Sequence, residues 1–97
     1  MLTSKQRAAL RSMANGLETI VQVGKDGITE GVERSVDEAL SARELIKGRV
    51  LESSLLTARQ ACEMLCLKLN AEPVQCIGTR FVLYRRNAQK PVIELPR

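Results

Sequence analysis

The sequence has no histidine. That removes the commonest general base and the commonest metal ligand. Tryptophan is also missing, and Phe81 and Tyr84 are the only aromatic residues. Two rings cannot build a sheet that stacks several bases, as RRM and OB-type readers do. No apolar run approaches membrane-spanning length. The opening Met1-Leu2-Thr3-Ser4-Lys5-Gln6 lacks the apolar core of a signal peptide. The expectation is a cytoplasmic protein without a membrane partner. Cysteine is sparse, at Cys62, Cys66 and Cys76. An odd number argues against a secreted disulfide framework. Cys62 and Cys66 share a helical face, but there is no CxxC pair and no fourth ligand for zinc. No metal site is expected, and the thiols read as small buried apolar groups. A Walker pattern is absent too: Gly24-Lys25 lacks both the preceding glycine loop and the following Ser/Thr. Asp37 and Glu38 lie among other charges on a helix surface. Catalysis, a cofactor and a small-molecule substrate are therefore not expected.

What is present is a chain of 97 residues, 44% hydrophobic and 27% charged. This suits one domain over residues 1–97, with a core that needs no disulfide or metal. A monomer is expected. The net charge is +4, and its distribution says more than its total. Residues 1–17 and 73–97 hold eight basic side chains and one acidic, a net +7, whereas residues 18–72 hold seven basic and ten acidic, a net −3. If the two ends meet in the fold, they make one basic face and leave an acidic one elsewhere. Such a dipole suits a polyanion approached from one side.

Punctuation along the chain divides it into seven elements. A first helix runs from about Ser4 to Ala14, capped by Thr3 with Gln6 and stopped at Asn15-Gly16. Its stripe is Leu10, Met13, Ala14 and Leu17. Lys5, Arg7 and Arg11 occupy the remaining surface, and Arg7 and Arg11 are like-charged helical neighbours. A strand follows over about Thr19–Val23, then a helix over about Glu30–Arg43 with Val32, Val36, Ala39 and Leu40 inward. A second strand spans about Leu45–Glu52, with Gly48 weakening or bulging it. Ser53 or Ser54 can cap a third helix that ends near Leu69. Pro73 opens a strand over about Val74–Ile77. Gly78-Thr79 makes a two-residue hairpin turn of the Gly-X kind, and a fourth strand covers about Arg80–Arg86. Residues 87–97 form a tail. The order α-β-α-β-α-β-β predicts an α/β fold with a mixed four-stranded sheet and packed helices. The first three strands, joined through helices, are expected to be parallel neighbours.

Between the first strand and the second helix lies Val23-Gly24-Lys25-Asp26-Gly27-Ile28-Thr29. Two glycines three apart let the backbone turn tightly and come close to a partner. The helix that follows points free N–H groups into the same place, and Lys25 adds a positive charge. A GxxG loop of this kind clamps nucleotide backbones in KH-type RNA binders. The same four residues also fit an ordinary turn before a helix.

Several blocks recur together in this order. They are Leu2-Thr3-Ser4-Lys5-Gln6-Arg7 with Leu10-Arg11, the loop Val23 to Thr29, and Glu44-Leu45-Ile46-Lys47. Then come Ile77-Gly78 with Val82-Leu83-Tyr84-Arg85, and Ile93-Glu94-Leu95-Pro96-Arg97. The set resembles the CRM-domain family (chloroplast RNA splicing and ribosome maturation), in particular its stand-alone bacterial YhbY-type members, over essentially the whole chain. The resemblance implies a fold similar to the C-terminal domain of translation initiation factor three. It also implies RNA binding and association with precursors of the large ribosomal subunit. The family's GxxG loop falls on Gly24, Lys25, Asp26 and Gly27.

With so few aromatics, recognition would rest on backbone clamping and charge, hence on RNA shape more than sequence. The residues expected to carry it are Gly24, Lys25, Asp26 and Gly27 in the loop, Lys5, Arg7 and Arg11 on the first helix, and Arg85. The first helix is expected to pack beside the first strand, joining these basic residues to the loop as one surface. Tyr84 is open to two roles, a core-edge ring or a stacking platform. A different class of reading makes the acidic second helix a docking face for a basic ribosomal protein.

Overall fold

The structure is a computed structural model, and it describes residues 2–97. Its elements are α1 (Ser4–Ala14), β1 (Thr19–Val23), α2 (Glu30–Arg43), β2 (Leu45–Val50), α3 (Ala58–Leu69), β3 (Glu72–Ile77) and β4 (Arg80–Tyr84). No described helix is long and apolar enough to cross a membrane.

Capping chemistry sets the helix starts. The Thr3 hydroxyl accepts from the Gln6 N–H at 3.1 Å while the Gln6 side chain accepts from the Thr3 N–H at 3.1 Å. Thr29 caps α2 by accepting from the Val32 N–H at 3.2 Å. The third helix starts later than Ser53 or Ser54 would place it. Thr57 and Gln60 form a second reciprocal pair, at 2.9 and 3.1 Å. Two orphan donors satisfied at once outweigh a single serine cap, and Ser54 instead accepts from the Leu56 N–H in a short turn. Strands two and four are correspondingly shorter than expected, ending at Val50 and Tyr84. At the hairpin Gly78 has φ +60° and Thr79 stays in the ordinary negative region, the pattern of a Gly-X turn.

The sheet order is β1-β2-β4-β3, with β1 and β2 parallel and the other two pairings antiparallel. The expectation of three parallel neighbours is thus met only by β1 and β2. The last hairpin inserts β4 beside β2 and moves β3, with Pro73, to the edge. An edge position suits a residue that cannot donate to a ladder.

The two faces of the sheet carry separate cores. On one, Val36 and Leu40 of α2 and Ala58, Ala61, Cys62 and Leu65 of α3 pack on Val21, Val23, Ile46, Val50, Phe81 and Leu83. On the other, Leu10 and Ala14 of α1 pack on Leu45, Val74, Val82 and Tyr84, joined by Ile93 and Leu95 of the tail. Strand alternation sends Phe81 and Leu83 one way and Val82 and Tyr84 the other. Both aromatic rings are therefore core residues, at 0% and 4% exposure, and Tyr84 is no stacking platform. Gly48 sits opposite Phe81 across β2 and β4. A Cβ there would lie 2.5 Å from Phe81 Cζ, so the glycine makes room for the ring. The sheet is irregular in β1, between Thr19 and Val21 against Lys47 and Gly48, and in β3, between Pro73 and Gln75 against Leu83 and Val82, but not at Gly48 itself.

The three cysteines do not share one environment. Cys62 is buried, Cys66 is partly buried and Cys76 is exposed, which corrects the expectation that all are buried. Cys76 is on the edge strand, and although the residue is exposed its thiol turns inward toward Cys62; partial desolvation there, with Cys62 beside it, pushes its pKa up to about 11.

Residues 87–97 contain no helix or strand, yet they are tied to the fold. Glu44, directly after α2, is wholly buried at 0% exposure with φ +65°. Its carboxylate accepts from the backbone N–H groups of Asn87, Val92 and Ile93, each at 2.6 Å. Burial alone would raise its pKa. The three N–H donors and the nearby Arg86 outweigh that and hold it below the usual carboxylate value. A strained left-handed backbone at a non-glycine residue persists because this side chain is fixed so firmly. Gln6 completes the attachment by donating to the Pro96 carbonyl at 3.1 Å.

Candidate functional site

The GKDG segment forms a tight turn at the carboxyl end of β1. The Gly27 N–H donates to the Gly24 carbonyl at 3.1 Å. Lys25 and Asp26 fill the two central positions in the ordinary negative-φ region, and Gly27 follows with φ +70°. That is a type I turn with glycine at its fourth position. Lys25 and Asp26 are exposed. Thr29 then starts α2, so the helix's free N–H groups lie just beyond the turn.

The two glycines have different physical causes. Gly27 is required by its φ. Gly24 is not: its φ is not positive, and a Cβ would sit 3.8 Å from Leu51 Cδ1 and Ser53 Oγ, an ordinary contact. Neither backbone conformation nor internal packing demands glycine at position 24. The turn is backed by the segment before α3, since the Leu51 N–H donates to the Val23 carbonyl at 2.9 Å. Leu56 stands 3.7 Å from the Cβ position of Gly27. Leu55 in that segment is 94% exposed.

The other basic residues fall in three places. Arg85 is at the far end of β4 on the α2–α3 side. Its guanidinium donates to Asp37 Oδ1 at 2.7 Å and to the Leu69 carbonyl at 3.0 Å. It also donates to the Asp37 carbonyl and Ser41 Oγ, both at 3.0 Å. Those donors brace α2 and α3 against β4, away from the turn. Lys5 is on the outer surface of α1, exposed. Arg7 Nε donates to the Pro73 carbonyl at 3.4 Å, near the start of β3 and so at the opposite end of the sheet from the turn.

The first helix does not pack beside β1 as expected. It lies across β2, β3 and β4, because Leu10 and Ala14 find their apolar partners on those strands. On α1, Gln6 and Arg7 stand on either side of Leu10, and Gln6 meets the tail. Arg7 and Arg11 therefore lie on the flank of α1 away from Gln6, where Arg7 reaches the Pro73 carbonyl and Arg11 is exposed. Between α1 and the turn, the same face of the sheet carries Lys47 and Arg49, half-buried, and Arg80, exposed. None of these was singled out from the sequence. The alternation Leu45 to Val50 would have placed Lys47 and Arg49 on one face, but only the position of α1 shows that face to be open.

The chain's ends do meet, α1 and residues 91–97 sharing one core. They enclose a concavity of about 970 Å³ lined by Gln6, Tyr84, Arg86 and Ile93 among others. It lies at the tail end of the sheet, far from the turn. An exposed glycine turn ahead of a helix N-terminus, beside a bare basic sheet, can receive phosphate oxygens through backbone N–H groups and cationic side chains.

A mixed four-stranded sheet with helices on both faces and a glycine turn at the first strand-to-helix junction defines a small α/β module. The model described as the CRS1 / YhbY (CRM) domain matches residues 2–85, and the chain belongs to that family. It is 42% identical over 96 residues to the "Probable RNA-binding protein YqeI" of Bacillus subtilis, spanning 99% of this chain and 100% of the relative. It is 35% identical over 96 residues to the "RNA-binding protein" of Haemophilus influenzae, spanning 99% and 96%. Among solved structures, the solution structure of SAV1595 from Staphylococcus aureus matches with a TM-score of 0.82 at 41% identity. That match covers 99% of this chain and 100% of the other.

Proposed function

We propose that this protein binds RNA by clamping its sugar-phosphate backbone at the Gly24–Gly27 turn, and that it does so on precursors of the large ribosomal subunit. The names of its relatives support RNA as the partner. The observation that carries the clamp is Gly24, a glycine in an exposed turn that neither its own backbone nor its neighbours require. A missing side chain with no internal cause fits a partner's backbone coming close from outside. Lys25 supplies charge to the same place. Both aromatic rings are in the core, so contact falls to phosphate and sugar, and RNA shape is read in preference to sequence.

The test uses variants chosen for what each glycine does. Gly24→Asp places a carboxylate where a phosphate would approach, in a position whose φ is not positive. Its thermal melt is expected to match the wild type while RNA affinity drops about tenfold or more. Anisotropy with a labelled RNA hairpin reads the affinity. Crosslinking in cells, with recovery of large-subunit RNA from gradient fractions, reads the particle. Unchanged affinity in the folded variant rejects the clamp, and recovery of unrelated RNA alone rejects the ribosomal assignment.

A further inference from the structure

The half of the sheet that α1 leaves uncovered is built against its own stability. Arg49 and Arg80 are direct cross-strand partners in β2 and β4. They point to the α1 side, since each alternates with a residue of the opposite core: Val50 beside Arg49, Phe81 beside Arg80. Like charges directly opposite one another are destabilising. The row they form continues through uncharged residues, Gln22 on β1 and Ile77 on β3. Lys47, two residues along β2, adds a third positive charge to the same face. Among the described residues neither arginine makes an ion pair. Arg49 Nε is shielded from solvent with no hydrogen-bond partner, whereas buried side-chain donors are nearly always satisfied. Arg80 is exposed and Ile77 is 64% exposed, so the row faces outward.

The strip also has a direction. Gln22 pairs with Arg49, and Gly24 is two residues further along β1, about 7 Å at the rise of a strand. From there the strip runs back through Lys47 toward Leu45, on which α1 packs.

We infer that Lys47, Arg49 and Arg80 form a second phosphate-contact surface, across which an RNA held at the Gly24–Gly27 turn continues toward α1. The inference rests on the RNA-binding reading. The chemistry fits a phosphodiester chain: guanidinium groups in a fixed pair offer forked donors to phosphate oxygens. A bound phosphate also removes the repulsion that the fold itself leaves in place.

The experiment compares wild type, R80Q and the double variant R49Q/R80Q. The probes are a labelled RNA hairpin of arbitrary sequence and, separately, polyglutamate, which has charge without phosphate. Each protein is melted in parallel. With one member of a like-charge pair removed, R80Q is expected to melt at or above the wild-type temperature. Its RNA affinity should nevertheless fall roughly tenfold, and its log affinity against log salt should flatten by about 0.7–0.9 for each phosphate that Arg80 no longer neutralises. Arg80 is exposed, so R80Q keeps the test valid if the double variant folds poorly. Folded R80Q that binds the hairpin like wild type, with the same salt slope, overturns the inference while leaving the clamp intact. Polyglutamate binding that is as strong as RNA binding and equally weakened in R80Q overturns it in favour of an acidic peptide. A wild type that binds no RNA overturns the underlying reading as well.

Discussion

Gly24 and Gly27 stand three residues apart, and Gly48 is on the neighbouring strand, yet each is glycine for its own reason. Gly27 needs a positive φ, Gly48 gives way to a ring, and of these three Gly24 alone has neither cause. The difference at Gly48 is testable. Phe81 is fully buried, and a Cβ 2.5 Å from its ring forces the ring or the strand to shift. Gly48→Ala is expected to cost about 1–3 kcal/mol through overpacking, measured by urea unfolding. Pairing it with Phe81→Leu should recover part of that stability, because the two residues share one space. At this scale the sequence shows which residues are unusual but not why. Gly48 reads as a weak point in a strand until the ring opposite is known. Arg85 reads as a binding cation until Asp37, 48 residues away, is seen to hold it.

Among the elements, those with local causes were legible. The starts of α1 and α2 follow from Thr3 with Gln6 and from Thr29, because a cap is decided within a few residues. The start of α3 is harder to read. Ser53, Ser54 and Thr57 are all competent caps, and the reciprocal partner Gln60 decides for Thr57. What depends on distant residues was not legible. The insertion of β4 between β2 and β3 is a matter of which hydrophobic surfaces meet. The tail's attachment depends on donors 43 to 49 residues from Glu44. That attachment carries a pH dependence whose sign is fixed by the lowered pKa of Glu44. A carboxyl held below its ordinary value near 4.5 contributes stability that is fully present above that pH. The contribution is lost as pH falls through the folded-state value. Glu44→Gln is expected to lower stability at neutral pH by about 2–4 kcal/mol, as three N–H groups lose a charged acceptor. Below about pH 4.5 the gap between wild type and variant should close. Melting both proteins across that range checks it, and a gap that stays constant with pH would assign Glu44's contribution to packing alone.

For the molecule as a whole, the segregation of charge along the sequence becomes a segregation of faces. The basic N-terminal helix and the C-terminal tail share one side of the sheet, and the acidic α2 is on the other. Between α1 and the glycine turn, the bare strip supplies what the two ends alone do not, a run of positive charge along the strands. A surface of this kind acts on a polyanion through many similar contacts, none reading a base edge. Affinity is therefore expected to fall linearly on a log–log plot as salt is raised, with a slope of about −0.7 to −0.9 for each phosphate engaged. If the turn, the strip and α1 each hold at least one phosphate, the wild-type slope is steeper than about −2 by that same factor. Charge reversal at Arg7 and Arg11 should flatten it, and combining that change with R80Q should be partly non-additive, since both act on one bound strand. Hairpins of unrelated sequence but equal stem and loop lengths should compete equally. A flat salt response, or sharp preference for one sequence among such hairpins, would mean that recognition runs through base contacts, which neither buried ring can supply.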